Sequence, residues 1–314
     1  MTYNNKNAKK TETKKTETKK AEAKKKITIS KEKQLIIYKI ITIILLLILI
    51  VILSKWGYGK YIEYRAAKMY DQMIQQVNNA SVVNNEVKNT ESQALETEKL
   101  ETEIAETQVS EESMDIEMPQ KNIDWKKMHE INQDIYAWIS IPNANIDYPI
   151  LQHQTDDGYY LSHNIDGTKG YPGCIYTEKS NYKDFKDFNT VIYGHNMKNG
   201  MMFRNLHDYE DESYFEKNRY VYIYTEKEKM VFEIYAAYTS DDSHILNTND
   251  FSVESVRKNY LENTIAFAKS SGGNVNDEIE VSSDSIVITL STCTQNPKQR
   301  YLVKAGCIMS KKVE

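Results

Sequence analysis

The hydrophobic pattern divides the chain into one long apolar run, a polar stretch and a C-terminal half of short alternating runs. Leu35–Leu53 is apolar apart from Lys39 and Thr42. As a helix this run would be about 28 Å long, enough to cross the hydrocarbon core of a bilayer. From residue 122 onward, short apolar runs separated by polar turns are typical of strands. The sequence therefore predicts a transmembrane helix over 35–54 and one folded domain over 122–314.

The folded domain is predicted to be mainly β. Asp124 is expected to cap a short helix that begins at Trp125, and a long helix is expected over Phe251–Ser270, ended by Gly272-Gly273. Runs rich in β-branched and aromatic residues predict strands at 138–142, 146–151, 173–176, 189–194, 220–224, 230–238, 281–289 and 301–309. Many short strands with one long helix indicate a small closed barrel with helical decoration.

The charges before the apolar run predict the orientation of the chain. Residues 1–34 contain twelve Lys and four Glu in a degenerate repeat, which predicts a solvated cytoplasmic tail rather than a nucleic-acid-binding arm. Few basic residues follow the run, so the C-terminal domain is expected outside the cell. No small-residue cleavage site follows Leu53, and Trp56 and Tyr58 suit the membrane interface. A retained anchor is therefore expected rather than a signal peptide.

Residues 55–121 are predicted to form an extracellular stalk. Apolar side chains recur loosely at helical spacing as far as about Val83, so the membrane helix is expected to continue outward. Residues 91–117 contain ten acidic side chains and one Lys, without sustained periodicity. Such a segment repels itself and is expected to be an extended linker.

The three cysteines differ in their sequence context. Their odd number leaves at least one thiol free or paired with another chain. Cys293 ends a β-branched strand in the polar step Ser-Thr-Cys-Thr and precedes an exposed turn, which favours an accessible, reactive thiol over a buried structural one. Cys174 and Cys307 lie in apolar strands and are expected to be buried thiols, with a disulfide between them as the alternative.

A histidine and an arginine accompany the candidate nucleophile. Of the six histidines, only His195 follows a strand that is predicted to be buried, and the other five are expected to be solvated. Gly194 before it would let another chain segment approach closely. Arg300 begins the last strand, and the 295–299 loop is long enough to fold its guanidinium back over the thiol of Cys293. No spaced set of metal ligands is evident, so neither a metal nor a cofactor is expected.

These motifs resemble those of the sortases. The resemblance rests on Tyr193-Gly194-His195, on Thr289-Leu290-Ser291-Thr292-Cys293, and on Arg300 with the apolar strand after it. The Ile139–Leu151 stretch is similar to the first strands of the family, and the long helix between the two halves of the site points to class B. The resemblance covers residues 122–314 and implies a closed eight-stranded β-barrel with an N-terminal helix and one long inserted helix.

The resemblance also implies a function, that of a cysteine transpeptidase of Gram-positive bacteria. Cys293 would attack a Thr–Gly-type bond in the sorting motif of a surface protein, and an amine of the cell wall or of a pilin would release the thioacyl enzyme. His195 would act as the acid/base and Arg300 as the oxyanion stabiliser. The expected partners are thus sorting-motif proteins and an amine acceptor, outside a membrane to which the chain is anchored by a single pass.

Four further residues are candidates for substrate binding: Tyr193, Ser291, Thr292 and Thr294. Tyr193 and Ser291 precede His195 and Cys293 by two positions and so share a strand face with them. The alternative is that they satisfy hydrogen bonds at the end of the barrel.

Two other functions remain open. A hydrolytic cysteine peptidase uses the same Cys/His chemistry, although papain-like enzymes place Cys before His and this chain has the reverse order. A non-enzymatic wall-binding module would not require Cys, His and Arg together at strand ends.

Overall fold

The computed structural model describes residues 31–95, 116 and 118–313, with side chains from 31–79, 116 and 118–313. Most of the predicted cytoplasmic tail, and the 96–115 part of the acidic linker, lie outside the described residues. The chain divides into two compact units between Tyr58 and Gly59.

The first unit contains the apolar run within a long helix, α1 (Lys31–Leu95). Every large hydrophobic side chain of Leu35–Leu53 is exposed. By length and composition this is the one helix in the described part of the chain that could cross a membrane. The predicted apolar helix is therefore present.

In the second unit, part of α1 packs on the folded domain. The buried side chains recur every three or four residues and are Ile62, Ala66, Tyr70, Met73 and Val77. Tyr70 Oη donates a hydrogen bond to the carbonyl oxygen of Gly173 at 2.9 Å. The sequence had assigned 55–121 to a stalk and the start of the domain to residue 122. The packed unit instead begins at Gly59, because residues 62–77 of α1 carry an apolar face that is buried in this unit.

The strands form a closed barrel. Their bounds are β1 Ile135–Ile141, β2 Ile146–Leu151, β3 Ile175–Thr177, β4 Asn189–Tyr193, β5 Tyr220–Thr225, β6 Glu228–Asp241, β7 Asn274–Val275, β8 Val287–Cys293 and β9 Gln299–Lys312. The order is β5-β1-β2-β3-β4-β8-β9-β6, and β6 pairs with β5 to close the ring. The two-residue β7 is added to the edge of β6. The predicted eight-stranded barrel is confirmed.

Shorter helices decorate the barrel. They are α2 Trp125–Ile131, α3 Tyr159–Ser162, α4 Glu212–Lys217, α5 Ile245–Thr248 and α6 Glu254–Ser270, with 3₁₀ turns at Pro142–Ala144 and Arg204–Glu210. Asp124 caps α2 as predicted, since its Oδ1 accepts a hydrogen bond from the backbone N–H of Lys127 at 3.1 Å. The long inserted helix is confirmed as α6, which begins three residues later than the sequence indicated.

Both faces of the last strand are buried. Tyr301, Val303 and Ala305 belong to the main core cluster inside the barrel. Leu302 belongs to a second cluster on the outer face, together with Leu261 of α6. The sheet of β6, β8 and β9 therefore has a covered outer surface as well as a packed interior, because α6 lies over it.

The penultimate strand differs from its prediction. The sequence predicted a strand over 281–289, whereas β8 runs over Val287–Cys293. Pairing with β9 continues through the polar Ser-Thr-Cys step, so Cys293 is the last residue of the strand, as its sequence context predicted.

Candidate active site

Cys293 and Arg300 are neighbours across the β8–β9 pair. They are direct Cα partners in an antiparallel ladder, where such pairs lie roughly 4.5–5.5 Å apart. Arg300 Nη1 donates to the carbonyl oxygens of Pro297 and Gln299, at 2.9 and 2.8 Å. The turn between the strands thus holds the guanidinium at the half-buried thiol end of β8.

The histidine reaches the same end of the barrel because β4 and β8 run parallel. Tyr193 is the Cα partner of Ser291 at the ends of these strands. Beyond them, the N–H of Gly194 donates to the carbonyl oxygen of Ser291 at 3.1 Å. Thr292 Oγ1 donates to the carbonyl oxygen of Gly194 at 2.8 Å. His195 therefore follows a strand end that is fastened to the strand end of Cys293.

Gly194 is required by close packing, as the sequence predicted. A Cβ at this position would lie 2.5 Å from Ile175 Cδ1 and 2.7 Å from the Phe203 ring. A side chain would therefore push the turn outward and displace His195.

The His195 ring has a defined hydrogen bond. Its Nε2 lies 2.6 Å from the carbonyl oxygen of Leu161, and the Tyr171 ring lies 5.2 Å away between centroids. Because a carbonyl oxygen can only accept, Nε2 carries a proton in this arrangement. In the neutral ring, Nδ1 is then the nitrogen without a proton.

His195, Cys293 and Arg300 line one cavity of about 430 Å³, called here the central cavity. Its wall includes the four tyrosines Tyr176, Tyr193, Tyr238 and Tyr260, together with Ser291, Leu302 and Lys304 among other residues. Burial, together with the nearby Glu178 carboxylate, raises the pKa of Tyr176 and of Tyr193. Both phenols are therefore neutral near pH 7 and present hydrogen-bonding groups without charge.

A histidine–carboxylate contact borders the central cavity. His244, one of the lining residues, lies 2.8 Å through Nε2 from Glu178 Oε2. Burial raises the pKa of Glu178, and the neighbouring His244 opposes that shift. The sequence had treated His244 as a solvated residue, but its partner lies 66 positions away and no local pattern connects the two.

The four predicted substrate-binding residues divide between two surfaces. Tyr193, Ser291 and Thr292 line the central cavity. Thr294 does not line it, since it lies in the turn after β8, where its Oγ1 donates to the carbonyl oxygen of Asn296 at 3.0 Å. Thr294 lines a second depression instead.

This second depression, called here the polar groove, opens on the other side of Cys293. It encloses about 970 Å³ and is lined by Asn196, Arg204, His207, Glu210, Cys293 and Thr294, among others. Asn196 Nδ2 donates to the carbonyl oxygen of Cys293 at 2.9 Å. His207 Nε2 lies 3.1 Å from the same oxygen, and His207 Nδ1 donates to Glu210 Oε1 at 2.7 Å. The groove therefore contacts the main chain of Cys293.

The expectation that all histidines except His195 are solvated is wrong for His207. Its side chain is only 13% exposed and its ring stacks on Tyr301 at 4.9 Å. The local signal was the spacing to Glu210, three positions later, which places both side chains on one face of a helical turn.

The other two thiols have different surroundings from Cys293. All three cysteines are free, so the structure does not contain the alternative disulfide. Cys174 is buried, and burial raises its pKa to about 12. Burial also raises the pKa of Cys307. Neither of these thiols lines the central cavity or the polar groove.

Comparison with known proteins identifies the family. The family model for the sortase domain matches residues 139–307, which is more than half of the chain. Sortase B of Listeria monocytogenes is 33% identical over 169 residues, an alignment that covers 54% of this chain and 66% of the relative. Sortase B of Staphylococcus aureus is 27% identical, over 54% of this chain and 67% of the relative.

The solved structures agree. The crystal structure of Clostridium perfringens sortase B is 31% identical, with a TM-score of 0.53, covering 59% of this chain and all of that one. The chain belongs to the sortase family, and the relatives it matches are class B sortases.

Proposed function

We propose that this chain is a cysteine transpeptidase in which Cys293 is the nucleophile, His195 the acid/base and Arg300 the oxyanion stabiliser. The observation that carries the proposal is that these three side chains, from three separate stretches of the chain, line one cavity at the same end of the barrel. Membership of the sortase family, a family of such enzymes, supports the same chemistry.

The reaction divides one amide exchange into two acyl transfers. Nδ1 of His195 takes the proton of the Cys293 thiol, and the resulting thiolate attacks the carbonyl carbon of the scissile peptide bond to form a tetrahedral intermediate. The proton now held at Nδ1 is the one that is available to the leaving amine. His195 protonates the leaving amine as the C–N bond breaks, which gives a thioacyl enzyme. An incoming amine then attacks the thioester, His195 takes its proton, and the thiolate leaves as the new amide forms.

The hydrogen bonds of the two assisting side chains fit these roles. With the Nε2 proton of His195 engaged by Leu161, Nδ1 is the nitrogen that exchanges a proton with the reacting groups. Arg300 is held by two carbonyl oxygens through Nη1, which leaves Nη2 and Nε as donors toward developing negative charge. A donor fixed before the reaction needs no reorganisation in the transition state.

The substrates follow from the class of reaction. The donor is a surface protein with a C-terminal sorting motif, and the acceptor is an amine of a cell-wall precursor or of a pilin. Tyr193, Ser291 and Thr292, on the wall of the central cavity, are the residues proposed to contact the donor peptide. Thr294 is proposed to contact substrate from the polar groove.

The proposed location is the outer face of a cell membrane. Residues 1–34 form a cytoplasmic tail, 35–54 a single membrane span, 55–121 a stalk whose 62–77 part packs on the folded domain, and 122–314 the catalytic domain. The exposed apolar surface of Leu35–Leu53 and the lysines that precede it support this topology.

Protease shaving of intact cells tests the topology. It should release a fragment that contains residues 122–314 and leave the tail protected. Recovery of a mature protein whose N-terminus lies between Ser54 and Lys60 would contradict a retained anchor.

The activity is tested by incubating the protein with a peptide that contains a Thr–Gly sorting motif, with and without an added amine. A ligated product is expected with the amine. Hydrolysis alone, at a rate that the amine does not change, would indicate a peptidase. No cleavage under either condition, with binding to purified cell wall retained, would indicate a wall-binding module.

A further inference from the structure

A buried lysine lies on the wall of the central cavity. Lys304 follows Arg300 by four residues on β9, so both side chains project from the same face of the strand. Thr289 of β8 is its Cα partner. At about 3.3 Å per residue, Lys304 lies roughly 13 Å along the strand from Arg300, away from the thiol end of the cavity.

The partners of Lys304 are neutral. The residue is 1% exposed, and its Nζ makes a short hydrogen bond to Tyr260 Oη and lies 3.4 Å from Thr289 Oγ1. Asn189 extends this network, since its Nδ2 donates to Tyr260 Oη at 3.1 Å and its Oδ1 accepts from Thr289 Oγ1 at 2.9 Å. Burial raises the pKa of Tyr260, which keeps that phenol uncharged.

No carboxylate compensates the ammonium of Lys304. Within the described part of the chain, none of the ion pairs involves this residue. Asp241 and Asp242 line the same cavity but are exposed. A buried cation without a counter-charge is unfavourable, and an apolar side chain of similar size would avoid that cost. Burial lowers the pKa of Lys304, and the Tyr238 hydroxyl partly opposes that shift. The hydroxyl groups around Nζ therefore supply no full counter-charge.

We infer that Lys304 is a specificity-determining residue that binds an acidic side chain of the peptide substrate in the central cavity. The inference rests on the proposed function, in which a peptide enters this cavity. A substrate carboxylate would supply the missing counter-charge, and a charge-assisted hydrogen bond is among the stronger polar contacts.

The position of Lys304 also predicts where the acidic residue lies in the substrate. The roughly 13 Å between Arg300 and Lys304 corresponds to about four residues of an extended peptide. The acidic side chain is therefore expected about three to five residues from the bond that Cys293 attacks.

Peptide binding to the Cys293→Ala variant tests the inference without turnover. Matched peptides would carry Glu or Gln, in turn, at each of the five positions on either side of a Thr–Gly bond. At one position, Glu should bind at least about tenfold more tightly than Gln, a difference of about 1.4 kcal/mol. Adding Lys304→Met should abolish that preference.

The control is Lys311→Met, which removes an exposed lysine from the same strand and should leave the preference unchanged. If Lys304→Met unfolds the protein, as judged by circular dichroism, Lys304→Gln is used instead. A purely structural role for Lys304 would weaken the binding of Glu and Gln peptides equally.

Two results would overturn the inference. One is the absence of a Glu/Gln preference at every position, and the other is a preference that survives the loss of Lys304 and so belongs to a cation at the rim. Cleavage of these peptides by the wild-type protein without a Glu preference overturns this inference and leaves the proposed function standing. Binding with a Glu preference that depends on Lys304, but without cleavage, would support this inference and contradict the proposed function.

Discussion

The two depressions on either side of Cys293 differ in what they contact. The central cavity is lined by four tyrosines and contains His195 and Arg300, whereas the polar groove contains hydrogen-bonding side chains that reach the carbonyl oxygen of Cys293. In the proposed mechanism, one side carries the reacting groups and the other fixes the backbone that presents the thiol. The comparison indicates that substitutions on the cavity side should change the chemical step itself. Substitutions on the groove side should change only how the backbone positions the thiol of Cys293.

Loss of the thiol should have the largest effect. Cys293→Ala removes the nucleophile and should abolish both hydrolysis and ligation of a sorting peptide, measured by chromatography of the products. The matched controls are Cys174→Ala and Cys307→Ala, which should alter thermal stability more than rate because those thiols line neither depression. Faster alkylation of Cys174 or Cys307 than of Cys293 in the native protein would contradict this assignment.

On the cavity side, Arg300→Lys should lower kcat by a factor on the order of 10²–10³, with little change in KM or folding. Lysine keeps the charge but lacks the planar fork that holds two carbonyl oxygens and a developing oxyanion together. Steady-state kinetics on one peptide measures the effect. An unchanged kcat with a raised KM would instead assign Arg300 to substrate anchoring.

On the groove side, Asn196→Ala should lower kcat by a smaller factor, roughly five- to tenfold, and leave KM nearly unchanged. The substitution removes one hydrogen bond to the Cys293 carbonyl oxygen, worth about 1 kcal/mol, without touching a reacting group. Gln295→Ala, an exposed position in the same groove, is the control and should have no effect. A loss as large as that of Arg300→Lys would mean that the groove also takes part in the chemistry.

The smallest effect is expected at a residue that lines neither depression. Tyr70→Phe removes the hydrogen bond from α1 to Gly173 and should lower the free energy of unfolding by about 1 kcal/mol. Tyr64→Phe, at an exposed position of the same helix, should change it by much less. Chemical denaturation of the 59–314 fragment measures both. Equal effects of the two substitutions would show that the Tyr70 contact does not contribute to stability.

The sequence predicted the elements of the site well because each depends on a local pattern. The strand before His195 lies where it was expected, over Asn189–Tyr193. The strand of Cys293 lies several residues later than predicted, but it ends at Cys293 as the pattern indicated. The number of eight strands came from the resemblance to a family, whereas the long helix followed from its own sequence pattern and from Gly272-Gly273 after it.

The positions that the sequence did not predict depend on contacts between distant segments. Lys304 alternates with Tyr301, Val303 and Ala305 along β9, and that pattern assigns it to a solvated face. The face is buried because α6, which precedes it by more than thirty residues, covers that side of the sheet. The packing of α1 on the barrel was missed for the same reason, since a stalk and a docked helix have similar local sequences.

The parallel pairing of β4 with β8 has a consequence for folding. His195 and Cys293 are brought together by strands whose partners are about a hundred positions apart in the chain. Long-range parallel pairing forms slowly, because a large loop must close before its contacts contribute. A newly made or partly folded chain therefore carries the thiol without the imidazole beside it. Cys293 therefore becomes reactive only when the barrel is complete. In an unfolded chain, the distance between the two strands along the sequence protects the thiol from premature acylation.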